Sequence, residues 1–147
     1  MSRWKAPGSR WLRQYLHLSL IHISEELQLS CDLGWTAEAL ANILKNCSEH
    51  SPEGGCIFIR AQQNFIYTRI EIEDEGPGLS PEECKRIFER FYQGRKSGRE
   101  NVGVGLSMAK SLIESQNGEI RAENRENGGA RFVIDFYSDG GNPARDL

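Results

Sequence analysis

Two β-rich runs, residues 56–61 and 65–73, flank the polar triplet Gln62-Gln63-Asn64, and that arrangement reads as a hairpin. In the second run Ile70 and Ile72 face one way while Arg69, Glu71 and Glu73 face the other. The sheet therefore has one covered face and one wetter face. Before the hairpin, a short strand over 29–31 and a helix over about 36–50 are expected, with Ser51-Pro52-Glu53-Gly54-Gly55 ending the helix and turning the chain. After it come a Gly/Pro-rich turn and a short helix over 81–87, with Pro81 near its first position. Residues 93–103 are polar, glycine-bearing and aperiodic, which predicts a long loop of the kind that often serves as a lid. A second long helix follows over about 104–116, with Leu106, Ala109, Leu112 and Ile113 on one side and Asn117-Gly118 as its stop. Strands over 119–123 and 130–137, joined through Gly128-Gly129, complete the pattern, and no internal repeat is present.

A chain of 147 residues is the size of one domain. Its 38% hydrophobic and 27% charged residues are ordinary for a globular fold, and a formal charge of -3 gives no reason to expect nucleic acid as a partner. Cys31, Cys47, Cys56 and Cys84 lack the CxxC spacing and histidine pair of a zinc or redox motif and read as reduced core residues. No apolar run approaches the roughly 20 residues that span a bilayer, and no signal-peptide cleavage pattern stands near the start. Direct membrane insertion by this chain is therefore not expected, and the expected location is the cytoplasm.

Residues 1–26 differ from the rest: Arg3, Lys5, Arg10 and Arg13 have no acidic neighbour before Glu25, and Trp4, Trp11 and Tyr15 crowd among them. The segment reads either as a basic membrane-surface helix or as a leader outside the fold. The second is preferred because its apolar positions fit no clean helical period. The domain is expected over 27–138, with a polar tail at 139–147.

Three constellations carry chemistry. Glu38, Asn42 and Asn46 recur every four residues, so a helix places them on one face. Such a stripe is either a solvated polar face or a set of oxygen donors for Mg²⁺ or its waters beside phosphates. Asp74-Glu75-Gly76-Pro77-Gly78 is a DxGxG turn directly after a strand, where an aspartate can accept a hydrogen bond from an exocyclic amine. Gly103-Val104-Gly105-Leu106-Ser107 opens a helix, where free N–H groups and the helix dipole favour an anion. Between the last two lies Phe88-Glu89-Arg90-Phe91-Tyr92, whose phenylalanines can anchor a loop root, followed by the cations Arg95, Lys96 and Arg99.

In that order along the chain, these motifs resemble the ATP-binding domain of sensor histidine kinases, in the superfamily that includes type II topoisomerase, heat-shock chaperone and mismatch-repair ATPases. The resemblance spans residues 29–137: WTAEALANILKN is similar to the N box, DEGPG to the G1 box, FERFY to the F box, NVGVGLSMAK to the G2 box and GGARF to the last glycine motif. It implies an α/β fold of the two-layer α+β sandwich kind. This Bergerat-type ATP-binding fold has a mixed β-sheet, about three helices packed on one face and a mobile ATP lid. It further implies that Asn46, with Asn42 beside it, helps hold Mg²⁺ on the phosphates of ATP, and that Glu38 polarises a ligand or water. Asp74 would accept the adenine amine; Gly76 and Gly78 would shape the base pocket; Arg90 and Lys96 would support the phosphates; and Gly103, Val104, Gly105 and Leu106 would form the lid hinge. Departures are Glu49 where a lysine or arginine is common, Asn101 where the G2 box often has glycine, and His50 where an aromatic is common.

The implied activity is transfer of the ATP γ-phosphate to a histidine on a dimerisation hairpin, with a response regulator as an indirect partner and a parent kinase that can be membrane-anchored. His17, His22 and His50 lack the acid-and-proline context of the family's acceptor, so the hairpin is expected to be supplied separately. A stand-alone anti-sigma-factor serine kinase, which shares the fold, and a non-catalytic nucleotide-binding interaction module are the alternatives; the FERFY run and the long lid count against the first.

Overall fold

In the computed structural model, which describes residues 17–23, 27–94 and 103–138, the elements run β1 (His17–Ile23), α1 (Leu33–His50), β2 (Cys56–Gln63), β3 (Tyr67–Glu73), α2 (Pro81–Arg86), α3 (Gly105–Glu114), β4 (Gly118–Asn124) and β5 (Ala130–Tyr137). The strands form one sheet in the order β1-β2-β3-β5-β4, with β1 parallel to β2 and every other pairing antiparallel. The sheet is mixed and the helices lie on one face, as the resemblance implies.

Local chemistry explains the boundaries. The Asp32 side chain accepts the Trp35 N–H at 2.8 Å and so starts α1 a turn earlier than the apolar pattern suggests. The strand expected at 29–31 is absent. The Gln28 and Asp32 N–H groups on either side are taken instead by the side chains of Gln63 and Gln116, so no backbone ladder forms there. Ser80 and Glu83 form a reciprocal capping box at the start of α2, with Pro81 as its first residue. In the hairpin, Asn64 Oδ1 accepts the N–H groups of both Ile66 and Tyr67, which lengthens β2 to Gln63. Asn117, at φ 58°, ends the segment after α3 in a left-handed turn before Gly118.

The core lies between the helices and the inner sheet face. Ala39, Ile43 and Cys47 of α1 and Leu106, Ala109 and Ile113 of α3 meet Ile57, Ile72, Ile120, Phe132, Ile134 and Phe136. The outer face carries charge: Arg69 grips Asp135 through two bonds at 2.7 and 2.8 Å, Arg121 reaches the same carboxylate, and Glu73 sits between Arg125 and Arg131. Glu73 and Asp135 are buried because these arginines cover them. All four cysteines are free thiols, but only Cys47 is a fully buried core residue, the other three being partly exposed.

Seven residues that the sequence reading places in the leader, His17–Ile23, run beside β2 as a parallel edge strand. Their sequence, HLSLIHI, is free of glycine and proline, which suits a strand. Residues 1–16, 24–26 and 139–147, the rest of the expected leader and the tail, lie outside the described residues.

Candidate functional site

A cavity of about 480 Å³ opens between α1, the start of α3 and the turn after β3. That volume suits a small-molecule ligand. The base of the cavity is Asp74, only 2% exposed. Its Oδ1 accepts the N–H groups of Gly76 at 2.9 Å and Ala130 at 3.0 Å, while its own N–H donates to the Ala130 carbonyl at 3.0 Å. The carboxylate is therefore fixed by backbone donors. Beneath it the Cys47 thiol hydrogen-bonds the same carboxylate, and burial, reinforced by the Asp74 charge, pushes that thiol well above its ordinary range. Gly78 lines the cavity, whereas Gly76 lies outside the wall, packed against the His50 carbonyl.

One side wall is α1. Asn42 and Asn46 both line the cavity, as their spacing predicts, together with Lys45, Glu49 and His50. The Asn42 Nδ2 is buried with no hydrogen-bond partner. A buried amide without a partner costs about 1–3 kcal/mol, so this group is set for a ligand that can satisfy it. Glu38, one turn earlier, is exposed and outside the wall. Lys45 and Glu49 face each other at 4.0 Å as an i, i+4 pair.

The opposite wall is the start of α3, where Gly103, Val104, Gly105 and Leu106 all line the cavity. Val104 caps the helix without a side-chain bond, and the first intrahelical backbone bond is Met108 N–H to the Val104 carbonyl. The N–H groups of the first turn consequently lack intrahelical acceptors, and they sit at the positive end of the helix dipole. A Cβ on Gly105 would stand 3.3 Å from Asn42 Oδ1, so the two walls meet there.

At the root of the expected lid, Phe91 N–H donates to the Gly103 carbonyl at 2.9 Å. Gly103 has φ +74°, a conformation that favours glycine. Phe88 packs edge-on against Phe132, but Phe91 is 66% exposed with φ 64° and is not a core anchor. Arg90 is exposed, lies over the Phe91 ring at 5.7 Å and is not part of the cavity wall. Lys96, with Arg95, Arg99 and Asn101, lies outside the described residues.

Sequence reasoning missed Leu79, Glu83, Ile87, Tyr92 and Ala130, which also line the cavity. Leu79 directly follows the DxGxG turn and Ala130 directly follows Gly128-Gly129, so proximity to those motifs is the signal that points to them. Leu79, Ile87 and Ala130, with Leu106, give the space an apolar side.

The profile of a family described as "Histidine kinase-, DNA gyrase B-, and HSP90-like ATPase" matches residues 32–139. Among curated proteins, the sensor protein KdpD of Clostridium acetobutylicum is 35% identical over 124 residues, covering 82% of this chain and 14% of KdpD. A nucleotide-free catalytic domain of the histidine kinase ThkA superposes with a TM-score of 0.76 at 26% identity, over 87% of this chain and 83% of that one. ThkA in complex with the response regulator protein TrrA superposes with a TM-score of 0.72 at 25% identity, covering 87% of this chain and 36% of that one. The chain spans between 14% and 25% of the length of the curated relatives it matches.

Proposed function

The chain belongs to the histidine kinase-, DNA gyrase B- and HSP90-like ATPase family, and from that premise we propose that its cavity presents ATP for transfer of the γ-phosphate to a histidine on a separate dimerisation hairpin. Its fold is that of the histidine kinase catalytic domain, and ATP is the substrate of that domain type. One observation carries the detailed reading: the asparagine stripe of α1, the Asp74 turn and the open first turn of α3 converge on a single cavity.

In this reading Asp74 accepts the adenine amine, with Gly78 and Leu79 beside the base and the phosphates between Asn42, Asn46 and the first turn of α3. The asparagine wall fits magnesium through the side-chain oxygens of Asn42 and Asn46, which are hard donors, while the unpartnered Asn42 Nδ2 is an N–H donor suited to a phosphate oxygen. Asn46, with Asn42 beside it, would hold the ion, which supplies charge neutralisation on the phosphates. Glu38, exposed one turn outside the wall, orients water or the incoming hairpin rather than the nucleotide. Arg90, before the expected lid, and Lys96, outside the described residues, are assigned to support the phosphates, as the resemblance implies.

Phosphoryl transfer needs an in-line acceptor, and the hairpin provides it. A response regulator then takes the phosphoryl group from the hairpin histidine. No helix among the described residues is long and apolar enough to cross a membrane. We place the domain in the cytoplasm, where ATP is available.

Radiolabelled ATP tests the reading. The chain mixed with a histidine-bearing hairpin and Mg²⁺ should label the hairpin, the chain alone should remain unlabelled, and Asn46→Ala should abolish transfer. Calorimetry that registers no adenine nucleotide binding by the folded chain with Mg²⁺ present would overturn it.

A further inference from the structure

The turn between β4 and β5 grips the Asp74 end of the cavity through Asn124 and Arg125, which belong to none of the sequence motifs, and through Gly129 of the last glycine motif. Asn124, the last residue of β4, uses both ends of its amide on Leu79: Oδ1 accepts the Leu79 N–H at 2.7 Å and Nδ2 donates to the Leu79 carbonyl at 2.8 Å. The same Oδ1 lies 2.7 Å from where a Cβ on Gly78 would project. Arg125 donates from one terminal nitrogen to the Asp74 carbonyl at 2.9 Å, while its Nε is held by Glu73 at 3.1 Å and its guanidinium lies over the Phe58 ring. Gly129 approaches so closely, at φ +94°, that a Cβ there would overlap the Asp74 carbonyl.

Residues 74–80 form no helix or strand of their own. Their path is set by what they are tied to. Asp74 is secured several times over, by Ala130 and Arg125, and Glu75 is tied to the Cys56 N–H at 2.8 Å. The far half, Gly78 and Leu79, depends on the Asn124 amide before α2 begins. Both of these residues line the cavity, so Asn124 determines how far the Leu79 side stands from the Asp74 carboxylate.

We propose that the β4–β5 turn is a clamp for base recognition, in which Asn124 is the positioning residue that sets the Asp74–Leu79 span and so the preference for a base bearing an exocyclic amine. The proposal rests on the reading that Asp74 accepts such an amine. Asn124 acts through the backbone of Leu79 and touches no substrate in this scheme.

The experiment measures dissociation constants of the full chain for ATP and for ITP, which has a carbonyl in place of the amine, in the parent, Asn124→Ala and Asn124→Asp, with thermal melting alongside. The parent should prefer ATP. Asn124→Ala should weaken ATP roughly tenfold, the size of one lost hydrogen bond, while ITP changes less than about twofold. Asn124→Asp keeps an acceptor for the Leu79 N–H and should fall between the two. Equal weakening of ATP and ITP would mark a merely structural role and overturn the clamp, as would an unchanged ATP-to-ITP ratio. If Asn124→Ala does not fold, the ratio in Asn124→Asp decides in the same way. A parent that binds ATP and ITP alike would sink the Asp74 reading and the clamp with it. A parent that discriminates, with variants that do so equally well, would sink the clamp alone.

Discussion

Under the proposed reading the cavity has a base end at Asp74 and a phosphate end at the start of α3, and the two are built on opposite plans. At the base end, the Asp74 carboxylate is held by backbone donors, its carbonyl by Arg125, and the following Leu79 by both ends of the Asn124 amide. At the phosphate end, the lid root rests on the Phe91 N–H to Gly103 bond, Phe91 is exposed, and the Asn42 Nδ2 is buried without a partner. One end is satisfied before any ligand arrives and the other holds donors in reserve. Preorganised groups discriminate without a reorganisation cost, whereas unsatisfied donors gain free energy when a charged ligand meets them. In the proposed reading, the end at Asp74 is therefore suited to selecting the nucleotide and the end at the start of α3 to responding to it.

The largest expected effect comes from reversing the polarity of the base end. Asp74→Asn can keep an amide oxygen for the Gly76 and Ala130 N–H groups, but it sets an amide nitrogen where the base amine needs an acceptor. ATP affinity should fall about a hundredfold, roughly 2.7 kcal/mol, with melting shifted by only a few degrees. Calorimetry and thermal denaturation of the same samples check this. A large loss of melting temperature at unchanged affinity would mean that Asp74 is a fold residue only.

A smaller effect, confined to the other end, is expected from Gly103→Ala. The added Cβ would stand 2.8 Å from the Tyr92 carbonyl, at a backbone φ of +74° that favours glycine. In the proposed reading adenosine reads the base end alone, and ATP reads both. Gly103→Ala should weaken ATP about fivefold and leave adenosine within about twofold, since one left-handed non-glycine residue costs on the order of 1 kcal/mol. Equal losses for the two ligands would erase the distinction between the ends.

Much of the cavity lining was legible in the sequence, because spacing reports what a single element presents, while the roles of its two ends rest on the resemblance. Asn42 and Asn46 fall on one helix face, the Asp74 turn ends a strand and Gly105 opens a helix; all of these reach the cavity. Glu38 belongs to the same stripe but falls outside, because the start of α3 meets α1 at Asn42. Phe91 looks like a core residue by composition, yet its left-handed backbone accompanies a side chain left exposed. Asn124 and Arg125 were not legible. Their bonds to Leu79 and Asp74 join residues 45 and 51 positions apart, and no local pattern encodes a side chain that reaches another element's backbone.

The smallest effect at neutral pH, and the one that probes how dry the base end is, belongs to Cys47. Its thiol is fully buried beside Asp74, and its pKa is raised first by burial and then by that charge. A folded protein that keeps a proton which the unfolded chain has released binds it on folding, so stability falls as pH rises above the thiol's ordinary 9.0. Below that value both states are protonated and the contribution is intact. Cys84 and Tyr137 are also raised, in each case chiefly by burial, and they contribute equally to a parent and a Cys47→Ser variant. The difference between the two therefore isolates Cys47. Urea unfolding from pH 8.5 to 10.5 should show the parent losing stability faster than Cys47→Ser, by up to about 1.4 kcal/mol per pH unit. Parallel curves would mean that water reaches the thiol, and that the base end is no drier than the phosphate end.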